Sequence, residues 1–186
     1  MRRSGPSTGT TSFSSNEIIQ TTYNISVYNN ISGQAANITQ VNITIPSTFT
    51  FTAGTNGTNA TGATFTNITN ITTILSWTNT TWVINGSETI YFWFNATAST
   101  PGNYNITVNV VNTTGTYPYN ISVEINDTTA PTWTLNQTNS TIVNQSTLFS
   151  LYWNDNTALH PKGQYIFSTN NTGVWVNDSA INFTAT

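Results

Sequence analysis

The chain has 186 residues and a mass of 20.3 kDa, and only 5% of its residues are charged, where a globular domain carries about 25%. Three Lys or Arg against six Asp or Glu give a net charge of −3, which leaves no basic patch for nucleic acid and no dense acidic coat. There is no Cys, which excludes disulfides, thiol nucleophiles and thiolate metal sites.

Residues 1–15 are rich in Ser, Thr and Gly and read as a flexible leader. Arg2 and Arg3 are not followed by an apolar stretch, so this is not a signal peptide, and no run of apolar residues is long enough to span a membrane. From Tyr23 onward the period is two. Tyr23, Ile25 and Val27 alternate with Asn24 and Ser26; Val41, Ile43 and Ile45 alternate with Asn42 and Thr44; Phe49 and Phe51 flank Thr50. Such alternation marks half-buried antiparallel strands. Residues 53–64 read as a loop, and Asn85-Gly86 between two apolar runs is a hairpin signal. The run Ile90–Phe94 (IYFWF) is apolar on both faces, which predicts a central strand covered on both sides. Pro46 and Pro101-Gly102 mark strand ends. Alternation resumes in Tyr104, Ile106, Val108 and Val110, and again in Tyr119, Ile121, Val123 and Ile125.

Asp127–Pro131 (DTTAP) reads as a domain junction, because Pro131 cannot serve in a central strand. Beyond it come Trp133–Leu135, Phe149–Trp153, Tyr165–Phe167, Val174–Val176 and Ile181–Phe183, all short β patterns. The expected organisation is therefore all-β: a leader at 1–15, a β-sandwich at 16–126, and a second β domain at 127–186. The last is too short for a full sandwich of about 100 residues and is expected to be truncated.

Polarity comes from amides and hydroxyls, since Asn, Thr and Ser number 28, 40 and 17. The glycan-acceptor pattern N-x-[ST] occurs 21 times. Composition alone gives about 9. Strand alternation sets residues i and i+2 on one face and raises that to about 15. The excess makes N-glycosylation the expected means of keeping weakly charged chains apart. Asn24, Asn42, Asn105 and Asn120 oppose the apolar register of their strands, and Asn85 sits in the expected turn; these five are the candidate attachment sites.

Val41–Phe51 (VNITIPSTFTF), Gly86–Thr97 (GSETIYFWFNAT) and Pro101–Val108 (PGNYNITV) together resemble the immunoglobulin-like repeats of archaeal cell-surface glycoproteins. DTTAP, Leu151–Asn156 (LYWNDN), Tyr165–Gly173 (YIFSTNNTG) and Trp175–Ser179 (WVNDS) resemble a second repeat type of the same proteins. The resemblance covers about residues 20–186. It implies two tandem immunoglobulin-like sandwiches on an extracellular surface protein. Further strands usually follow the WVNDS segment in such repeats.

Chemistry-bearing residues are few. Asp127, Asp155 and Asp178 are candidate calcium ligands, although Asn-Asp-Asn is also an ordinary turn. His160 lacks a nucleophile and an oxyanion hole, and Lys162 between Pro161 and Gly163 suits a loop better than a buried crosslink. No catalytic set and no cofactor follow from the sequence. Tyr91 and Trp93 share one strand face and form a candidate sugar-stacking pair, against the plainer reading of aromatic packing. The function expected is a non-catalytic display module of a glycosylated cell-surface or S-layer protein. Its partners would be neighbouring repeats and cell-surface glycans. The rivals are a carbohydrate-binding or adhesive module, and a filament subunit completed by a donated strand.

Overall fold

The computed structural model describes residues 6–29, 38–69, 73–78, 88–140, 142, 145–159, 163–170 and 172–183. It is all-β over these residues and divides into two compact units, 1–127 and 128–186.

The first unit is an immunoglobulin-like sandwich of two sheets. Strands β1 (Ser7–Thr8), β3 (Gln20–Tyr28), β9 (Thr89–Ala98) and β5 (Phe49–Phe51) lie side by side in that order, with β6 (Gly57–Thr58) also paired to β9. The facing sheet runs β2 (Ser12–Asn16), β11 (Gly115–Asn126), β10 (Gly102–Asn112), β4 (Ile38–Ile45), β8 (Thr73–Thr78), β7 (Thr64–Thr69). Every pairing in the sandwich is antiparallel except β2 with β11.

The core follows from the alternation. Tyr23, Ile25 and Val27 of β3 and Phe92, Phe94 and Ala96 of β9 face Val41, Ile43 and Ile45 of β4, Ile106, Val108 and Val110 of β10, and Ile121, Val123 and Ile125 of β11, all buried. Rings join the two layers: Trp77 meets Phe92 at 5.3 Å between centroids. A register shift between Val111 and Asn112 accompanies the burial of both Ile38 and Val41, which are three residues apart and would otherwise point to opposite faces.

Three expectations change here. Part of the expected leader at 1–15 forms edge strands: β1 pairs with β3, β2 pairs with β11, and Phe13 meets Tyr23 edge-on at 5.1 Å. An edge strand is held mainly by its backbone and needs little apolar content of its own, so composition hid it. The expected loop at 53–64 contains β6, and its last residue opens β7. Finally, β9 is central within its sheet but covered on one face only, because Phe92 and Phe94 turn inward while Tyr91 stays 44% exposed.

Over its described residues the second unit holds three two-stranded ribbons rather than two facing sheets. β12 (Thr132–Thr138) pairs with β13 (Phe149–Asn154), β14 (Gln164–Tyr165) with β17 (Ile181–Asn182), and β15 (Ser168–Thr169) with β16 (Val176–Asn177). None of its described residues is buried. Leu135 adopts φ +52° at a register shift in the first ribbon, its side chain exposed. The run Ile181–Asn182 forms β17, paired on one side to β14.

Candidate functional site

The polar outer faces of the sandwich carry the acceptor asparagines, and the register sorts them. On the six-stranded sheet Asn105 lies opposite Ser122 and Thr107 opposite Asn120, so two N-x-[ST] triplets pair head to tail. The Thr107 hydroxyl donates to Asn120 Oδ1 at 3.0 Å. Asn42, opposite Asn109 and Ser76, is half-buried and accepts from Gln40 Nε2 at 2.9 Å. Asn24 stands apart from these three, exposed on the outer face of the other sheet and opposite Trp93. Asn85 and its hairpin lie outside the described residues.

Among the described acceptor asparagines, only Asn112 is buried. Its Oδ1 accepts from Thr114 N at 2.9 Å, Thr114 Oγ1 at 2.8 Å and Gly115 N at 3.0 Å, closing the turn between β10 and β11. Its Nδ2 is buried with no hydrogen-bond partner. This triplet has the letters of an acceptor site and the structure of a turn cap. Sequence reasoning missed that role; the signal was Asn112 and Gly115 bracketing two Thr between strands.

Tyr91 and Trp93 are together on the outer face of β9. Asn59 Oδ1 accepts from Tyr91 N at 2.8 Å. Trp93 is half-buried, and its indole occupies the room above Gly57: a Cβ on Gly57 would sit 2.5 Å from Cε2 and Cζ2 of that ring. Glycine at 57 is therefore what seats the indole. Beside the pair, Ser26 is half-buried under Gly9 and Thr10, its hydroxyl 3.4 Å from Thr10 Oγ1. On the other flank the Thr22 hydroxyl donates to Asn95 Oδ1 at 2.7 Å.

The candidate calcium ligands are not assembled. No group of three His, Cys, Asp or Glu side chains comes together among the described residues. Asp155 Oδ1 accepts from Thr157 N at 3.1 Å and from Thr157 Oγ1 at 3.2 Å, an Asx turn. Asp178 contributes its backbone N–H to Phe167 O at 2.9 Å, and Asp127 closes the first unit. His160 and Lys162 lie outside the described residues.

In the second unit the ribbons border an open groove of about 1030 Å³, lined in part by Phe149, Leu151, Trp153, Tyr165, Phe167 and Ile181. No helix among the described residues is long and apolar enough to cross a membrane.

No protein-family model matches the chain, and no characterised protein matches it in sequence. Several solved structures are similar in fold at low identity, three of them as follows. A non-cellulosomal cohesin from the hyperthermophilic archaeon Archaeoglobus fulgidus superposes with a TM-score of 0.45 and 9% identity, over 65% of this chain and 91% of that one. A cohesin module from a Clostridium perfringens family 33 glycoside hydrolase gives 0.36 and 8%, over 66% and 96%. A family 123 glycoside hydrolase from Clostridium perfringens, studied for glycolipid glycan hydrolysis, gives 0.34 and 17%, over 66% of this chain and 27% of that one.

Proposed function

We propose that the chain is a non-catalytic display module of an extracellular, heavily N-glycosylated cell-surface protein, in which a stiff sandwich spaces and presents attached sugar. The observation that carries this reading is the distribution of acceptor asparagines. Those described lie on outer faces and turns with access to solvent, Asn112 excepted, on a surface with almost no charge to keep chains apart. The outer face of the six-stranded sheet offers Asn42, Asn105 and Asn120 on three adjacent strands. The register staggers them, Asn120 level with Thr107 and Asn42 level with Asn109, so sugars there would be spread over that face and shield it. The few carboxylates, with Asp155 engaged in a turn and no group of three together among the described residues, support the non-catalytic part.

Glycopeptide mapping of the chain recovered from a glycosylating cell tests the reading. Sugar is expected on several of Asn24, Asn42, Asn105 and Asn120 and none on Asn112. Four unmodified asparagines would reduce the motif to a by-product of strand alternation.

The groove of the second unit favours a second reading, a subunit completed by a strand from another copy. The outer edge of β13 is unpaired among the described residues, and an added strand would place alternate side chains against Phe149, Leu151 and Trp153. Light scattering across a hundredfold concentration range decides it. Association lost on Leu151→Asp supports strand donation, and a monomer throughout removes it.

A further inference from the structure

We infer that the sugar attached at Asn24 lies on the indole of Trp93, so that this aromatic pair serves the chain's own glycan rather than a foreign one. The inference rests on the glycosylation reading above and adds what one attached sugar touches.

The register singles out Asn24. Residues directly opposite in an antiparallel pair have Cβ atoms about 4.5–5.5 Å apart and project from the same face. Asn24 is opposite Trp93, whereas Asn105 is opposite Ser122, Asn120 opposite Thr107, and Asn42 opposite Asn109 and Ser76. Of these four only Asn24 has an aromatic neighbour across the ladder. Its side-chain amide makes no hydrogen bond among the described residues, unlike those of Asn42 and Asn120.

The indole is held in place, tilted toward β6 and away from Asn24. It leans over Gly57, where no side chain competes, and the close approach to the Gly57 backbone restricts its position. The room above Asn24 on β3 is left to solvent, and Asn24 is exposed there. Gly57, Trp93 and Asn24 form one row across β6, β9 and β3. Tyr91 and Asn95 stand at the two diagonal positions from Asn24. A pyranose has one face of C–H bonds, and an aromatic face carries partial negative charge that attracts them. One ring on a short amide link spans a single strand spacing of about 4.8 Å, which matches the step from Asn24 to Trp93. The hydroxyl of the same triplet, Ser26, is covered by Gly9 and Thr10 in the folded chain, so transfer to Asn24 precedes docking of β1.

The test uses the full chain made in a glycosylating host, as wild type and as N24Q, W93L and N24Q/W93L. Mass spectrometry reads occupancy at Asn24. Thermal melts read the effect of that sugar in each background, and proton NMR of wild type reads ring-current shifts on the first sugar. The expected result is an occupied Asn24, upfield-shifted sugar C–H protons, and a melting temperature about 2–4 °C above that of N24Q, the size of a 1 kcal/mol contact in a chain this long. That increment is expected to vanish when Trp93 is Leu. If Asn24 is occupied but its sugar protons are unshifted and the increment survives W93L, stacking is wrong while glycosylation stands. If Asn24 carries no sugar while other sites do, the inference fails and the wider reading survives. A bare chain overturns both. Should W93L fail to fold, the NMR shifts on wild type decide alone.

Discussion

The two units are written in the same alternating code and end differently. In the first, alternate residues along much of β3, β4, β9, β10 and β11 meet a facing sheet, and among the described residues every buried apolar side chain belongs to this unit. In the second, Trp133, Leu135, Phe149, Leu151, Tyr152, Val174 and Trp175 occupy strands and bends of similar composition and remain exposed. Alternation fixes which way a side chain points from its own strand. It does not supply the layer that covers it. Stability needs the second step, because burying apolar area is the main favourable term against the entropy of ordering the chain.

The sharpest way to separate the units is to remove one tryptophan from each. Trp77, fully buried between Phe65 and Phe92, should cost about 3–5 kcal/mol when replaced by Ala, read as a lowered urea midpoint. Trp175, 71% exposed, should cost no more than about 0.5 kcal/mol in the same experiment. Equal losses would mean that Trp175 has a covering partner and that the contrast is false.

Next in size is Asn112→Ala. It removes the acceptor for three donors in the turn between β10 and β11, and about 1–3 kcal/mol should be lost. Asn105→Ala, which destroys an acceptor triplet on an exposed face, should move the unglycosylated protein by no more than about 0.5 kcal/mol. Urea melts of the two variants side by side separate turn from attachment site.

Gly57→Ala should cost about 1 kcal/mol, because the new Cβ forces the Trp93 indole to swing away. Tryptophan fluorescence should report a more exposed ring. An unchanged spectrum and midpoint would show that the indole is not seated there.

The smallest effect appears only in alkali. Burial pushes the Tyr23 phenol above its ordinary value, partly opposed by its contact with Ser15. Burial, and then the charge of Tyr117, push Tyr119 the same way. A raised value favours the protonated form in the folded chain. The contribution is therefore complete below about pH 10 and is lost as pH climbs through the folded value. The urea midpoint of the first unit should begin to fall above that pH, and Tyr23→Phe should blunt the fall. An identical pH profile in Tyr23→Phe would place the effect elsewhere.

Much of the sandwich was legible because its central strands are amphipathic. Tyr23, Ile25, Val27, Val41, Ile43, Ile45, Ile106, Val108, Val110, Ile121, Val123 and Ile125 show a period of two and are all buried. β1, β2 and β6 were not legible, since they pair through the backbone and Phe13 of β2 is the one apolar side chain among them, too little for a period to show. The run Ile90–Phe94 was ambiguous because Tyr and Trp serve on either face, and a remote residue, Gly57, is what accommodates Trp93 outside. The acceptor triplets were fully legible as letters. That Asn24 faces Trp93 depends on register across strands distant in sequence, whereas the turn cap at Asn112 is local and was signalled by Gly115 three residues on.

Hydrogen exchange on the full chain, followed by peptide and mass spectrometry, tests the contrast most directly. Amides of β3, β4, β9, β10 and β11 should exchange together and last. Those of β12 to β17 should exchange on the order of a thousandfold sooner, since ribbons with no buried side chain open locally at little cost. Protection in β12 and β13 equal to that in β9 and β10 would contradict the account, because it would require a covering layer over the second unit that the ribbons do not provide.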